Sequence, residues 1–184
     1  MKKLTRAFYN RDTRIVAQEL LGCQLVHRFE GIERIGTIVE VEAYLGQHDL
    51  ASHTSKGLTK RTSTMFGPPG HAYVYLIYGM YYCFNIVTEP EGIGSAVLIR
   101  AIEPIANIQE RTSGPGLLCK ALNIDTSMNG CDLLSENLFV NQAVKPHPLN
   151  IVAAPRIGVS YAKEWAHELL RFYIKGNTYV SRVC

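Results

Sequence analysis

The sequence predicts an α+β fold, a single mixed domain of residues 1–184 around a curved, largely antiparallel sheet with short peripheral helices. Three observations lead to this prediction. A chain of 184 residues has the size of one domain. It is 47% hydrophobic and only 19% charged, which provides a core and argues against disorder. Strand-like segments dominate and do not alternate regularly with helical ones, unlike the pattern of a parallel α/β sheet.

The first predicted element is a helix. Asp12 is a good N-cap residue and Gly22 is typical of a helix end, so the helix is expected between them. Its apolar face would consist of Ile15, Val16 and Leu20.

A hairpin and a long polar loop come next. Residues 23–29 and 35–45 have the composition of strands, and residues 30–33 form the predicted turn between them. Residues 49–70 are rich in Ser, Thr, Lys and Arg, end in Gly-Pro-Pro-Gly, and show neither a helical nor a strand period. A loop of that length in a compact domain is more often functional than incidental.

The rest of the chain is predicted to consist mainly of short strands. A tight turn is expected at residues 78–80, and short helices at residues 105–111 and 117–122. The strands are predicted at residues 72–77, 82–87, 95–102, 138–140, 151–153 and 170–174.

Charge and composition limit the classes of protein. Lys and Arg exceed Asp and Glu by 19 − 16 = 3, which permits a polyanionic partner and equally suits an ordinary, mildly basic protein. No apolar run reaches the roughly 18 residues of a membrane span. The basic N-terminus is followed by Asn10-Arg11-Asp12 rather than by the apolar stretch of a signal peptide. We therefore expect a cytoplasmic protein without a membrane partner, nucleoid-associated if bacterial.

The cysteines indicate no metal or disulfide chemistry. Their number is odd, their positions are scattered, and no Cys-x-x-Cys pair or zinc-type Cys and His spacing occurs. We expect neither a bound metal nor another cofactor. The five residues are Cys23, Cys83, Cys119, Cys131 and Cys184.

Candidate catalytic side chains lie in residues 38–44. His53 follows at the opening of the polar loop, and a carboxylate, a phenol and an imidazole there can activate a water beside an aromatic ligand. The alternative is a strand with a solvated acidic face. Because side chains alternate along a strand, the two predicted faces are Glu40, Glu42 and Tyr44 on one side and Val39, Val41 and Ala43 on the other.

An aromatic segment suggests a flat ligand. Five of the ten tyrosines lie within residues 73–82. Tyr78 stands beside Gly79 at the predicted turn, where a ring is suited to wedging between stacked bases or stacking on one of them. The alternative, an aromatic sheet core, is expected for Tyr82 and Phe84.

Two polar residues fall on apolar strands. Asn85 can bond the polar edge of a ligand or be satisfied by the backbone. Arg100 ends an otherwise apolar strand segment. A charge there needs a partner, either a carboxylate such as Glu42 or a phosphate. An ordinary structural salt bridge is the alternative.

Taken together, these residues resemble the alkyladenine (3-methyladenine) DNA glycosylase family. Matching motifs run in order along nearly the whole chain, from about Leu20 to Val183, and are highly specific as a set. The motifs are Glu42-Ala43-Tyr44-Leu45-Gly46 with His53, Met65-Phe66-Gly67-Pro68-Pro69-Gly70, residues 73–81, 98–104, 114–116 and 156–159, Glu164-Trp165, and Arg171-Phe172-Tyr173.

The resemblance implies a monomeric, monofunctional enzyme that flips a damaged purine out of double-stranded DNA and hydrolyses its N-glycosidic bond. By position, Glu42 corresponds to the general base that activates water, and Arg100 and the backbone carbonyl of Ile157 help to hold that water. Glu40 is the internal comparison, and removing its charge is expected to have a milder effect. Extrusion is required because a base inside a duplex is out of reach.

The resemblance also implies the remaining roles. Tyr44 and His53 correspond to one wall of the base pocket and Tyr75 to the other. Asn85 corresponds to the residue that clashes with the exocyclic amino group of guanine. Tyr78 corresponds to the intercalating tyrosine. Alkylated purines often carry a positive charge, which aromatic faces attract.

One position departs from the family pattern. After Gly114-Pro115-Gly116 the family usually has a lysine, a natural phosphate contact, and this chain has Leu117. Lys56, Lys60 and Arg61 in the polar loop are the candidates to supply phosphate contacts instead.

Two other functions compete with the glycosylase. A non-catalytic binder of damaged DNA would use the same pocket without hydrolysis, although a binder of an anion gains little from a carboxylate at its site. A glycosidase of soluble sugars also combines carboxylates with aromatic platforms.

Overall fold

A computed structural model describes residues 2–142 and 148–183, and antiparallel strands dominate it. The strands are β1 Lys2–Lys3, β2 Gln24–Phe29, β3 Ile32–Tyr44, β4 Ala72–Ile77, β5 Tyr81–Thr88, β6 Ser95–Ala106, β7 Leu138–Gln142, β8 Ile151–Ala154 and β9 Arg171–Ile174. The α-helices are α1 Arg6–Tyr9, α2 Thr13–Leu20 and α3 Pro115–Leu122. Short 3-10 helices lie at His53–Lys56, Ser63–Phe66, Thr126–Met128 and Ser160–Ala166.

The strands form an open, antiparallel sheet, which confirms the predicted fold class. The order is β1-β7-β2-β3-β6-β5-β4. Along one edge β3 pairs first with β2 and then, at residues 40–42, with β9, which in turn pairs with β8. Along its other edge β3 pairs with β6. This arrangement brings β3, β6 and the C-terminal strands together at the point where β3 carries Glu40 and Glu42.

An irregularity in β3 changes which residues share a face. The pairing of β3 with β6 shifts register on both sides of Glu40, as at a β-bulge. As a result, Val41 packs in the main core while Val39 packs in a smaller cluster beside Tyr173. The prediction that Val39, Val41 and Ala43 share one face was therefore wrong for Val39, because simple alternation takes no account of an inserted residue.

The predicted helix after Asp12 is confirmed, but its apolar face was partly wrong. The Asp12 carboxylate accepts hydrogen bonds from the N–H groups of Arg14 and Ile15, and Gly22 follows the helix at a φ of 81°. Ile15, however, is 50% exposed, and Ala17 takes its place in the core with Val16 and Leu20.

The other predicted elements are present with one exception. Residues 105–111 are not helical, because β6 continues through Ala106, and Ile105 is exposed. Asn107 ends the strand with a positive φ of 55° and donates a hydrogen bond from its side chain to the carbonyl of Glu33. The helix predicted at residues 117–122 exists as α3. Two short N-terminal elements, β1 and α1, were not predicted.

The main core lies between one face of the sheet and the helices α2 and α3. It contains buried aliphatic residues from the central strands and from both helices. Because this face is closed by apolar packing, the polar residues of β3, β5 and β6 that are not part of the core gather on the opposite side. Among the described cysteines, Cys83, Cys119 and Cys131 are free thiols. Cys184 lies outside the described residues.

Candidate active site

A cleft of about 560 Å³ opens on the polar side of the sheet. It lies between the β4–β5 hairpin, the end of β3, the first half of β6, the start of α3 and residues 157–161. Every residue that the sequence analysis assigned to catalysis, to the base pocket or to intercalation lines it. These residues are Glu42, Tyr44, His53, Tyr75, Tyr78, Asn85, Arg100 and Ile157.

The floor of the cleft is built around the Glu42 carboxylate, which is completely buried. Its Oε1 accepts a hydrogen bond from the backbone N–H of Ile157 at 2.7 Å, and its Oε2 accepts one from the Tyr44 hydroxyl at 2.7 Å. Arg100 Nη1 lies 3.3 Å from Oε1 as an ion pair. The alternative of a solvated acidic face is therefore wrong. Ile157 contacts Glu42 through its N–H group, whereas the sequence analysis assigned a role to its carbonyl.

Arg100 is shared between two buried carboxylates. Its Nε donates a hydrogen bond to Glu40 Oε1 at 3.3 Å, while its Nη1 faces Glu42. Burial alone would lower the pKa of the Arg100 guanidinium, but the negative charges of Glu42 and Glu40 raise it above its ordinary value. The guanidinium is therefore a permanent positive charge beside the candidate base.

The walls of the cleft are aromatic. The His53 ring meets the Tyr75 ring edge to face, with centroids 4.6 Å apart, and His53 Nδ1 lies 3.0 Å from the Tyr73 hydroxyl. His53 and Tyr75 were predicted to lie on opposite walls, but the two rings are in contact. Tyr73, whose ring lies 5.3 Å from that of Tyr75, extends this aromatic wall. Its role was not recognised in the sequence, although it shares a strand face with Tyr75.

The wall residues carry no charge at neutral pH. Burial, reinforced by the nearby charge of Arg61, lowers the pKa of His53 to about 4. Burial and the neighbouring Glu42 raise the pKa of Tyr44 well above its ordinary value, and burial likewise raises the pKa of Tyr75. A neutral imidazole and two phenols present π faces that attract a cationic ring without repelling it.

Asn85 lies in the cleft wall and is satisfied by the backbone, which is one of the two alternatives predicted for it. Its Nδ2 donates hydrogen bonds to the backbone carbonyls of Tyr73 at 3.0 Å and Cys83 at 3.4 Å. The same side chain lines the cleft and is nearly buried. The backbone therefore fixes the orientation of the amide within the cleft wall.

The mouth of the cleft is formed by the tip of the β4–β5 hairpin. Tyr78 is 83% exposed and has a φ of 53°, and Gly79 follows with a φ of 70°. The turn is closed by a hydrogen bond from the Met80 N–H to the Ile77 carbonyl. A bulky residue in the left-handed region costs roughly 1–2 kcal/mol, so the turn holds this ring in solvent at the expense of stability.

A basic surface borders the cleft on the side of the polar loop. Lys56, Lys60 and Arg61 are exposed, and the Arg61 guanidinium lies 5.3 Å from the centre of the Tyr75 ring. A second cleft beside the first is lined by Lys56, Arg61 and Lys163. Leu117 lines the main cleft on its other side. The positive charge of this mouth is therefore concentrated on one side.

A buried ion pair that the residue-by-residue analysis missed supports the site. Arg156 binds both oxygens of Asp49, at 2.5 and 2.8 Å, and its guanidinium lies 4.8 Å from the centre of the Tyr44 ring. The pair connects the segment that carries Ile157 to the end of β3. The only signal for it in the sequence was the motif at residues 156–159.

Within residues 2–142 and 148–183, His, Cys, Asp and Glu side chains form no group of three or more that could hold a metal ion. Across the same ranges, the helices are too short or too polar to span a bilayer.

Comparison with known proteins identifies relatives over almost the whole chain. Residues 7–178 match the family model described as methylpurine-DNA glycosylase. A protein of Legionella pneumophila (strain Corby) that is named for 3-methyladenine DNA glycosylase activity is 67% identical over 182 residues, which cover 99% of this chain and 100% of the relative. Relatives with the same name occur in Anaeromyxobacter dehalogenans (strain 2CP-C), with 53% identity over 98% of this chain and 87% of the relative, and in Myxococcus xanthus (strain DK1622), with 48% identity over 99% and 95%.

Proposed function

Since the chain belongs to the methylpurine-DNA glycosylase family and is a hydrolase of N-glycosyl bonds, we propose that it flips damaged purines out of duplex DNA and releases them with an activated water. The observation that carries this proposal is the buried Glu42 carboxylate at the floor of an aromatic cleft, with the Arg100 charge beside it.

Glu42 acts as the general base in this mechanism. A carboxylate has about four acceptor positions, and the described hydrogen bonds to Glu42, from Ile157 and Tyr44, occupy two of them. The remaining positions can receive a proton from water. The same negative charge stabilises the sugar as it becomes cationic in the transition state. One fixed side chain thus serves both needs of the reaction.

Water is the nucleophile, and the DNA strand stays intact. The described residues that line the cleft include no lysine that could form a covalent intermediate with the sugar. Arg100 and the segment at Ile157 hold the water beside Glu42, the latter through the carbonyl of the same peptide segment whose N–H contacts the carboxylate. The expected products are a free base and an abasic site.

The aromatic walls select the base. The neutral faces of Tyr44, His53 and Tyr75 attract purines that alkylation has made cationic, and the bond from such purines to the sugar is already weakened. Asn85, held by its bonds to the backbone, clashes with the exocyclic amino group of normal guanine, a penalty that the weakened bond of 7-methylguanine to the sugar can offset. The proposed substrates are 3-methyladenine, 7-methylguanine, hypoxanthine and ethenoadenine.

Extrusion of the base depends on the mouth. Tyr78 enters the duplex in place of the flipped nucleotide, and Lys56, Lys60 and Arg61 contact the phosphates. The general base Glu42, the intercalating Tyr78 and the basic residues of the polar loop all belong to one chain. The enzyme is therefore proposed to act as a monomer on double-stranded DNA. Its proposed location is the cytoplasm, in association with the nucleoid.

A base-release assay tests the proposal. Four duplexes, each with one of the proposed lesions, are incubated with the protein, and free base and abasic sites are measured before and after hot alkali. The expected result is free base with strand cleavage only after alkali, and no release from an undamaged duplex. Tight binding of lesion duplexes without release would instead indicate a damaged-DNA-binding protein. Hydrolysis of a soluble glycoside that DNA does not inhibit would indicate a sugar glycosidase.

A further inference from the structure

Glu40 is a second fully buried carboxylate next to the candidate base, and it does not line the cleft. It accepts hydrogen bonds from Arg100 Nε at 3.3 Å, from Arg171 Nη1 at 2.9 Å and from the backbone N–H of Ser181 at 2.6 Å. A carboxylate with this many partners, two of them positively charged, is held in one position. It therefore provides a fixed anchor for the guanidinium of Arg100.

Arg100 directs its hydrogen bonds away from Glu42. The described donors are Nε to Glu40 and, at 3.5 Å, Nη2 to the Ser181 hydroxyl, while Nη1 faces Glu42 at 3.3 Å as an ion pair. A guanidinium beside a single carboxylate tends to form two parallel hydrogen bonds with it. Glu40 competes for the same guanidinium. As a result, the positive charge of Arg100 lies beside Glu42 without a bidentate contact between them.

From this geometry we infer that Glu40 is a positioning residue, which holds Arg100 so that acceptor positions of Glu42 stay open to the attacking water. The inference rests on the proposed function, because it concerns the water that Glu42 activates. Without the charge of Glu40, Arg100 turns towards Glu42 and donates to its oxygens. Water then loses its place on the base, although the aromatic walls that bind the flipped purine are unchanged.

The test is the Glu40→Gln variant, which keeps the size of the side chain and removes its charge. Single-turnover release of base is measured with enzyme in excess over a duplex that contains one hypoxanthine, and the dissociation constant is measured by fluorescence anisotropy. The expected result is release at least about tenfold slower than in the parent, with a dissociation constant within about twofold of the parental value.

Arg171→Gln is the matched control. It breaks the same buried ion pair from the other side, while Glu40 keeps Arg100 and the Ser181 N–H as partners, so it should lower the melting temperature by a similar amount. Arg100, however, keeps its hydrogen bond to Glu40 in this variant. Release by Arg171→Gln should therefore stay close to the parental rate at a temperature where both variants are folded.

Two outcomes overturn the inference. Equal slowing in both variants would show that Glu40 acts through the stability of the fold alone. Parental release by Glu40→Gln would show that Arg100 needs no anchor. Both results differ from failure of the proposed function, in which the parent protein itself would release no base from the duplex.

Discussion

The floor and the mouth of the cleft are built in opposite ways. At the floor, Glu42 and Arg100, with Glu40 directly behind them, are at most 8% exposed, and each charge is paired. At the mouth, Tyr78 and Met80 are 83% and 66% exposed. Buried charges are stable only when they are paired, so the floor has its final geometry before substrate arrives. Within the described residues, neither of these side chains makes a hydrogen bond, an ion pair or a ring contact, as expected of a surface that binds another molecule.

This difference determines how substitutions in the two regions should affect the protein. A preorganised floor needs no rearrangement at the moment of reaction, which favours the transition state. A mouth that contributes little to the fold can be changed with little loss of stability. Substitutions at the floor should therefore affect chemistry and stability together, whereas those at the mouth should weaken DNA binding without loss of stability.

The largest expected effect is at the floor. Glu42→Gln keeps the shape of the side chain but cannot accept a proton, and loss of a general base slows a reaction by roughly 10²–10⁴-fold. The lost negative charge near the sugar adds to this. Single-turnover release should fall at least this far while lesion duplex is still bound. Near-parental release of 3-methyladenine would assign the catalytic role to another carboxylate, and a melting curve controls for the lost partner of Arg100.

At the mouth, Tyr78→Gly should separate binding from stability. Stacking on a base contributes about 1–3 kcal/mol, so binding and release on a lesion duplex should weaken by about tenfold or more. Because glycine accepts the positive φ of this position, stability should rise by about 1 kcal/mol. Tyr179→Ala, at another exposed tyrosine outside the cleft, is the control for duplex binding. A lower melting temperature with full duplex activity would place Tyr78 in the core.

A smaller effect is expected from the basic surface at the mouth. Lys56→Gln should reduce the slope of log Kd against log salt concentration by about 1, to the same extent for damaged and undamaged duplexes. Lys2→Gln, on the strand at the other edge of the sheet from β4, should leave the slope unchanged. Equal slopes for the parent and Lys56→Gln would exclude a phosphate contact by this lysine.

A substitution at Asn85, in the wall of the cleft, tests how the protein discriminates between bases. Asn85→Ser shortens the side chain and should raise the release of normal guanine relative to hypoxanthine by a few fold, which is typical of one steric contact. Loss of the bonds to the Tyr73 and Cys83 carbonyls should cost about 1 kcal/mol of stability. Comparing the two bases isolates the exocyclic amino group. An unchanged ratio would leave Asn85 with a structural role only.

The smallest expected effect is a pH dependence from His53. Its pKa is about 4 in the folded protein, below the value of about 6.5 in an unfolded chain. The unfolded state therefore binds a proton first, and stability is lost as the pH falls from about 6.5 towards 4. Arg61 and Tyr73 are the polar groups that face the ring. As the pH falls over this range, the melting temperature of the parent should decrease relative to that of His53→Gln. A constant difference between the two melting temperatures would contradict the lowered pKa of His53.

The sequence by itself determined most of the strands and the list of residues in the cleft. Strand and helix periods depend on local side-chain burial, so β4, β5, α2 and α3 could be predicted from their own residues. The apolar period gave wrong predictions at Ile15 and at residues 105–111. Ile15 and Ile105 are exposed, because the periodicity of one segment does not show which other element packs against it. The resemblance to the glycosylase family then brought distant motifs into one site.

Only the tertiary structure decided how those residues contact one another. The register shift at Glu40, the Ile157 N–H on Glu42 and the sharing of Arg100 by two carboxylates join strands that are far apart in the chain. The ion pair of Asp49 and Arg156 spans 107 residues. Such contacts depend on distances of a few ångströms between separate elements, whereas a sequence pattern records only the burial of each residue along its own strand or helix. The identity of the candidate base could therefore be predicted from the chain, but the network that positions it could not.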